Sequence, residues 1–321
     1  MVTGSVNLIP DAPVAVIRDL AVRAEELGFS RCWVNDEGLA TRDVYVTMAA
    51  ILRSTERLVV GPGVTNAYTR HPGQTAAAIA TLAEMSAGRA FLGLGAGGSL
   101  TLDPLGLERQ QPLETIRQTI AACRDLFAGD RISVESPGFA FRSARLDYGQ
   151  ADIEIWLAGR GPRMLELGGA ECDGVMLDFI HKPSLGDYTA RVRSGAERTE
   201  NHPRICYSTM VVTDEETLEI VRHHMTYRLV DSPLPVREAL GMTDADSERI
   251  RSALPDGLAA AARYVPDEWV LPFVIAGTEE ECAAEVTGLC EGYGLDEFVI
   301  PVLDASTGTA LLEVAARVLA G

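Results

Sequence analysis

The sequence predicts an α/β chain folded as a (β/α)8 barrel, the TIM-barrel architecture, with insertions. Its 321 residues suit either two domains or one large barrel. Short apolar runs alternate with segments of helical periodicity about eight times, which is typical of parallel strands joined by helices. A doubly wound open sheet would show a glycine-rich nucleotide turn near its start, and the sequence shows neither that turn nor a linker. We therefore expect one domain over residues 1–321.

In the first half, each predicted strand is followed directly by a predicted helix. Residues 5–9 form an apolar run that stops at Pro10 and Asp11. Residues 13–27 then place apolar side chains at helical spacing, and Gly28 has the position of a C-cap. The same unit recurs with strands at 32–35, 58–64 and 90–95 and helices at 43–53, 74–85 and 113–127.

The second half keeps the alternation but is less regular. Short apolar runs at 132–135 and 139–141 flank a Ser-Pro-Gly turn, which predicts a hairpin insertion. Asp214 and Thr278 are the expected N-caps of two helices. Residues 232–272 are helix-rich and interrupted by prolines, which predicts an insertion over one end of the barrel. The remaining expected elements are strands at 153–158, 174–177, 205–212 and 297–302 and helices at 162–169, 214–230, 278–293 and 305–319.

Composition narrows the class of partner. Lys and Arg number 28 against 46 Asp and Glu, so the formal net charge is -18 and a nucleic acid or an anionic membrane would be repelled. The sequence shows no signal peptide and no run of about 18 apolar residues, so we expect a cytoplasmic protein that acts on a small molecule.

The cysteines predict neither a metal site nor a disulfide framework. They are scattered, with no CxxC pair and no histidine at the spacing of zinc ligands. We expect reduced and mostly buried thiols. The six are Cys32, Cys123, Cys172, Cys206, Cys282 and Cys290.

Polar and glycine residues follow the predicted strands. In a barrel the active site lies at the carboxyl ends of the strands, so these loops should meet at one end. They are Asn7 to Asp11, Asn35 to Glu37, Gly61 to Asn66, Gly93 to Gly98 and Ala158 to Arg163.

Two of these loops resemble anion or nucleotide sites. Gly93 to Gly98 spells GxGxxG, but the segment after it contains Pro104 and Gly106 and is not expected to start a helix at the last glycine. That loop either allows close packing or lets a flat ring or a phosphate approach the backbone. Gly159 to Arg163 precedes a predicted helix, so its N–H groups could meet a phosphate beside Arg160 and Arg163; an ordinary loop with solvated arginines is the alternative.

The titratable residues differ in how well their predicted positions suit an active site. Asp36 and Glu37 are adjacent at a strand end, so at most one is expected in the site, and the position above a strand favours Asp36. His71 precedes Pro72 and is read as a capping or packing histidine. His223 and His224 are expected on a helix far from the strand ends.

Three segments in register resemble the bacterial luciferase-like superfamily. They are Gly-Pro-Gly-Val-Thr-Asn-Ala-Tyr at 61–68, Ala-Gly-Arg-Ala-Phe-Leu-Gly-Leu-Gly-Ala-Gly at 87–97 and Gly-Arg-Gly-Pro-Arg-Met-Leu-Glu-Leu at 159–167. Within that superfamily they are most similar to the coenzyme F420-dependent branch, typified by methylenetetrahydromethanopterin reductase. The resemblance extends from residue 10 to residue 301.

The resemblance implies an oxidoreductase that transfers a hydride between F420, an 8-hydroxy-5-deazaflavin, and a small substrate with a C=N, C=C or C=O bond. It implies a homodimer, and a non-prolyl cis peptide that corresponds to Gly63–Val64. Asp36 and Glu37 take the catalytic positions, and Asn7 and Asn66 take substrate positions. The implied cofactor-binding residues are Asp36, Gly63, Val64, Thr65, Gly95, Ala96, Gly97, Gly98, Ala158, Gly159, Arg160 and Gly161.

The chain departs from the family pattern on the substrate side. Asn7 and Gly98 stand where methylenetetrahydromethanopterin reductases tend to carry acids, and Glu37 replaces a common histidine. The sequence therefore does not predict a pterin substrate. Two other functions stay open: an FMN-dependent luciferase-like monooxygenase and a non-catalytic flavin-binding barrel.

Overall fold

The strands alternate with helices along most of the chain. The structure is a computed structural model that describes residues 2–321. Its strands are β1 (Gly4–Leu8), β2 (Arg31–Val34), β3 (Val59–Pro62), β4 (Leu92–Gly95), β5 (Ile132–Glu135), β6 (Ala140–Ala144), β7 (Ile155–Ala158), β8 (Gly174–Asp178), β9 (Arg204–Ser208), β10 (Val211–Val212), β11 (Ile275–Ala276) and β12 (Glu297–Val302).

Eight of these strands form a closed parallel barrel. The sheet runs β3, β2, β1, β12, β9, β8, β7, β4, and all its pairings are parallel. Parallel bridges join Val60 to Ala90 and Thr65 to Leu94, so the β3 edge meets the β4 edge. The predicted (β/α)8 barrel is confirmed, as is the antiparallel hairpin of β5 and β6.

The helices pack their apolar residues against the strands and against one another. Their bounds are α1 (Val14–Glu26), α2 (Val44–Ser54), α3 (Pro72–Met85), α4 (Ser99–Leu102), α5 (Pro112–Phe127), α6 (Pro162–Glu171), α7 (Leu185–Glu197), α8 (Glu215–Val230), α9 (Leu234–Ala239), α10 (Asp244–Ala253), α11 (Leu258–Ala262), α12 (Asp267–Val270), α13 (Glu279–Tyr293) and α14 (Gly308–Ala320). Across residues 2–321, every helix is either too short or too polar to cross a lipid bilayer.

Helix α7 and the strand expected at 205–212 differ from the sequence prediction. Helix α7 was not predicted, because three of the five residues in its buried stripe are small or polar: Thr189, Gly195 and Ala196. Gly195 of α7 packs so closely on α6 that an added Cβ would lie 2.0 Å from the Glu166 carbonyl oxygen. The strand expected at 205–212 is two strands: β9 stays in the barrel, whereas β10 leaves it and pairs with β11.

The amino end of the barrel interior is filled. Trp33 lies edge-on to Phe91 and Trp156, with ring centroids 4.6 and 5.4 Å apart. The buried Arg31 guanidinium stacks on Phe91 and Trp156 and pairs with Glu297 at 3.4 Å. A tightly packed interior at this end leaves the carboxyl end as the place for a site.

Helices α8 to α12 form a second apolar cluster with residues from the barrel's carboxyl end. Val221, Met225 and Leu229 of α8 are buried there, together with Phe179 and Leu303, which follow β8 and β12. The helical segment 232–272 therefore lies over the end of the barrel where the strands' carboxyl ends meet.

Candidate active site

A cavity of about 760 Å³ lies at the carboxyl end of the barrel. That volume is within the range of small-molecule sites. Its lower walls come from the loops that follow the strands, and its upper walls come from α8 and the helices after it. Its lining includes Asn7, Asn35, Asp36, Glu37, Gly63, Val64, Gly98, Ala158, Arg160, Asp178, His224, Tyr227, Arg228, Leu254 and Leu258.

Asp36 and Glu37 both line this cavity, so the expectation that at most one would do so is wrong. Alternation between faces holds only within a strand, and β2 ends at Val34. The loop that follows turns both carboxylates to the same side. Asn35 holds the second one, because its Nδ2 donates to Glu37 Oε1 at 3.0 Å.

Asp36 is held by the neighbouring strand's loop. Thr65 Oγ1 donates to Asp36 Oδ2 at 2.6 Å. Burial raises the pKa of Asp36 above its ordinary value, although the Thr65 hydrogen bond works in the opposite direction. The carboxyl therefore keeps its proton to a higher pH than an exposed aspartate does.

The peptide bond between Gly63 and Val64 is cis, which confirms the prediction for this bond. Both residues line the cavity beside Asp36. A Cβ added at Gly63 would lie 2.6 Å from Trp33 Cβ and 3.2 Å from Asn7 Oδ1, so a side chain does not fit there.

Some glycines of the GxGxxG loop allow close packing, and another leaves open space beside the cavity. A Cβ on Gly93 would lie 2.1 Å from the Pro62 carbonyl oxygen, and one on Gly95 would lie 2.7 Å from Val64 Cγ2. Gly98 has open space around it and lines the cavity, whereas Gly95, Ala96 and Gly97 are not part of the lining. Contrary to the prediction, a helix does start after the last glycine; it is α4, a single turn capped by Gly98.

Of the two candidate anion-binding arginines, only Arg160 faces the cavity. Its Nη2 donates to the Asp178 carbonyl oxygen at 3.3 Å. Arg163 is exposed on α6 and is not part of the lining. Gly159 and Gly161 also lie outside the lining, and Gly161 is the N-cap of α6.

The two predicted substrate asparagines have different surroundings. Asn7 lines the cavity, and its buried Oδ1 has no hydrogen-bond partner among residues 2–321. Asn66 Oδ1 instead accepts from Tyr68 N, Thr69 N and Thr69 Oγ1 and lies outside the lining. Asn66 therefore shapes its own loop.

The sequence analysis missed the contribution of α8. The prediction that His224 lies far from the strand ends is wrong, because His224, Tyr227 and Arg228 line the cavity. Burial, with the nearby Arg228 charge, lowers the pKa of His224 to about 4. The signal was present in the spacing, since residues 224, 227 and 228 share one helix face. Asp178, at the end of β8, was also missed.

The reading of His71 as a structural residue is confirmed. Its Nδ1 accepts from Gly73 N at 3.1 Å at the start of α3. Its ring packs edge-on against Phe141 and Phe139, with centroids 4.8 and 5.9 Å apart.

Comparison of the chain with known proteins identifies a family and several similar proteins. The model of the luciferase-like monooxygenase family matches residues 2–297. The 5,10-methylenetetrahydromethanopterin reductase of Methanolobus tindarius is 31% identical over 300 residues, which are 90% of this chain and 91% of that protein.

Solved structures share the fold. The coenzyme F420-dependent tetrahydromethanopterin reductase of Methanopyrus kandleri superimposes with a TM-score of 0.88 at 23% identity, over 98% of this chain and 97% of that one. An F420-dependent secondary alcohol dehydrogenase, solved with an F420-acetone adduct, gives a TM-score of 0.78 at 18% identity over 99% of each chain.

Proposed function

The chain belongs to the luciferase-like monooxygenase family, and from this we propose that it is an F420-dependent oxidoreductase. It transfers a hydride between the deazaflavin and a small organic substrate with a C=N, C=C or C=O bond. The observation that carries the proposal is the cavity wall on which the backbone of Gly63 and Val64 lies beside the half-buried carboxyl of Asp36. The two solved relatives whose names include F420 support the choice of cofactor.

The lining suits a flat, polar ring system. Gly63 and Gly98 leave backbone without side chains on the cavity wall, and the unpartnered Asn7 Oδ1 offers an acceptor to a ring N–H or O–H. Asp36, Val64 and Ala158 would complete the ring site. Arg160 would meet the anionic tail, while Thr65, Gly95, Ala96, Gly97, Gly159 and Gly161 shape the loops behind this surface.

F420, when bound, supplies the two-electron hydride chemistry at carbon five of its ring. The protein supplies orientation, exclusion of water and proton transfer. Asp36 retains a proton at a pH where an exposed aspartate has lost it, so it can donate a hydrogen bond within the site. Glu37 is the second acid–base group of the proposed site.

The experiment that tests this function is anaerobic turnover with reduced F420. We expect purified protein to convert reduced F420 to its oxidised form when a small ketone, enone or imine is added, at a rate unchanged by air. Turnover that requires reduced FMN and consumes oxygen would instead establish the monooxygenase function.

We further propose a cytoplasmic homodimer. All six cysteines are free and buried, as expected for a reducing compartment. Leu39 and Val46, just before and within α2, are 77% and 62% exposed, which supports a partner surface on this segment. Light scattering should give twice the chain mass, and Leu39→Ser with Val46→Ser should shift it toward the monomer. Cell fractionation tests the compartment.

A further inference from the structure

The face of α8 that covers the cavity is polar. His224, Tyr227, Arg228 and Asp231 all line the cavity and follow the spacing of one helix face. Residues between them, such as Met225 and Leu229, are fully buried in the apolar cluster. Placing several titratable groups inward over a cavity is costly unless they act on something that the cavity binds.

Tyr227 has a hydrogen-bond donor that the protein does not use. Arg228 Nη1 donates to Tyr227 Oη. Because a guanidinium has only donors, the phenol oxygen is the acceptor in this contact, and its own O–H must point elsewhere. Within residues 2–321, no other hydrogen bond involves this hydroxyl. It is therefore available to an acceptor in the cavity.

Residues at the carboxyl end of the barrel hold the side chain of Arg228 in place. Its Nη2 lies 3.4 Å from Asp178 Oδ2, and its guanidinium lies 4.4 Å from the centroid of the Phe179 ring. The Asp178 carboxylate is fixed in turn, since the fully buried Ser208 donates to Oδ1 at 2.9 Å. The phenol is thus oriented through a connected network rather than by a single flexible contact.

The surroundings keep the phenol protonated at neutral pH. Burial raises the pKa of Tyr227 above its ordinary value. The charged groups that face it come from four elements: Arg228 on α8 and Arg160 after β7 favour ionisation, whereas Glu37 after β2 and Asp178 on β8 oppose it. A protonated phenol beside a fixed cation can donate its proton, and the cation then stabilises the phenolate that remains.

Apolar side chains complete the space near this hydroxyl. Ile9, Val230, Leu254, Leu258 and Leu303 line the same cavity. This combination suits a molecule with an apolar body and one polar acceptor atom.

We propose that Tyr227 is a further catalytic residue, which donates its phenolic proton to the heteroatom of a carbonyl or imine borne on an apolar body. This inference rests on the proposed function. The reduced deazaflavin, when bound, would supply the hydride for the new C–H bond and be left oxidised, and the π pair of the C=O or C=N bond would move to the heteroatom. The Tyr227 O–H bond breaks as the heteroatom–H bond forms, which gives an alcohol or amine. The phenolate beside Arg228 then takes a proton from water.

The test compares Tyr227→Phe with Tyr264→Phe, an exposed tyrosine outside the cavity. The probes are cyclohexanone, 2-methyl-1-pyrroline and cyclohexene, each with reduced F420. We expect wild type to reduce the ketone or the imine but not the alkene. Tyr227→Phe should lower kcat about 100-fold, with F420 affinity and thermal unfolding unchanged, and Tyr264→Phe should match wild type.

A second readout does not depend on turnover. Arg228→Gln should move the ionisation of Tyr227 to higher pH, because it removes the nearby cation. Ultraviolet absorbance follows the formation of tyrosinate as the pH rises. The difference between wild type and Tyr227→Phe gives the titration of this one phenol. The difference between Arg228→Gln and Arg228→Gln/Tyr227→Phe gives its titration without the nearby cation. Should Tyr227→Phe fail to fold, the same comparison uses Tyr227→Trp.

The possible failures are distinguishable. Wild-type protein that does not bind F420, or that binds it and reduces none of the probes, overturns the proposed function and this inference with it. Normal wild-type turnover with kcat of Tyr227→Phe within threefold overturns the inference alone. An unmoved tyrosinate titration in Arg228→Gln also overturns it.

Discussion

At the scale of single residues, Asp36 shows how position controls chemistry. Two features act on it in opposite directions: burial favours the protonated form, and the Thr65 hydroxyl at 2.6 Å favours the carboxylate. Burial dominates, so the folded protein holds this proton more tightly than the unfolded chain does. A group of this kind makes stability depend on pH in a calculable direction.

Asp36→Asn should stabilise the protein at neutral pH. The pKa of Asp36 lies above 3.8 in the folded state, so stability present at low pH is lost as pH rises through the folded pKa. The amide has no such loss, so its advantage in unfolding free energy should grow as the pH rises from the ordinary pKa of aspartate through the raised pKa of Asp36. Urea unfolding measures this, with exposed Asp152→Asn as the control; an advantage that is constant with pH would contradict it.

The residues that sequence alone placed well were those whose role is local. His71 next to Pro72 and the N-caps Asp214 and Thr278 depend on neighbours within a few residues, and the structure agrees with all three. His224 was misplaced because the cavity that it lines is formed by segments distant in the sequence, such as the loop after β2 and residues 301 and 303 at the end of β12. The spacing in α8 shows that residues 224, 227 and 228 share one helix face, but it does not show that this face covers the cavity.

At the scale of elements, the barrel closes at the junction of β3 and β4. The ladder there consists of two isolated bridges, Val60 to Ala90 and Thr65 to Leu94. Gly93 allows the Pro62 backbone to approach it closely. The sequence offered packing and ligand approach as alternatives for this glycine loop, and the structure uses Gly93 for packing and exposes Gly98 to the cavity.

Gly93→Ala should destabilise the protein strongly. The added methyl group would lie 2.1 Å from the Pro62 carbonyl oxygen, so one strand must shift. Overpacking of this kind costs about 1 to 3 kcal/mol or more. Gly98→Ala is the matched control, because nothing lies within 4 Å of its added Cβ, and its thermal midpoint should stay near that of wild type. Equal midpoints for the two variants would contradict this account of barrel closure.

Element prediction succeeded where the hydrophobic period was clear. The unit of strand, helix and capping glycine at 5–28 has an apolar stripe of ordinary width, and β1 and α1 match it closely. Helix α7 instead packs through Thr189, Ala196 and close glycine contacts, which apolar periodicity does not register. Strand β10 was joined to β9 because the two residues between them, Thr209 and Met210, include no glycine or proline that would mark a break.

At the scale of the whole molecule, the formal charge of -18 opposes the proposed ligand, since F420 carries an anionic tail. Binding must then depend on local cations in the cavity. Arg160 is the candidate from the sequence that the structure places there.

Arg160→Gln should therefore weaken F420 binding about tenfold and leave the tail-less 8-hydroxy-5-deazariboflavin nearly unaffected. Arg163→Gln removes the same charge from the exposed surface of α6 and should change neither affinity by more than about twofold. Fluorescence titration of both ligands measures this. Equal losses of both ligands in Arg160→Gln would show that the residue does not meet the tail.

We propose that residues 1–321 unfold as one domain. The apolar cluster of α8 to α12 includes Phe179, Met210 and Leu303 from the barrel, so the insertion shares buried surface with it. Far-ultraviolet circular dichroism and tryptophan fluorescence should give coincident urea transitions. Two separated transitions would show that the insertion is an independent unit.

The central claim is that this cavity binds a deazaflavin. Equilibrium titration of purified protein with oxidised F420 and, separately, with FMN tests it directly. We predict a dissociation constant for F420 at least about tenfold lower than that for FMN, with F420 displaced by excess 8-hydroxy-5-deazariboflavin. Tighter binding of FMN, or no measurable binding of F420, would contradict the claim.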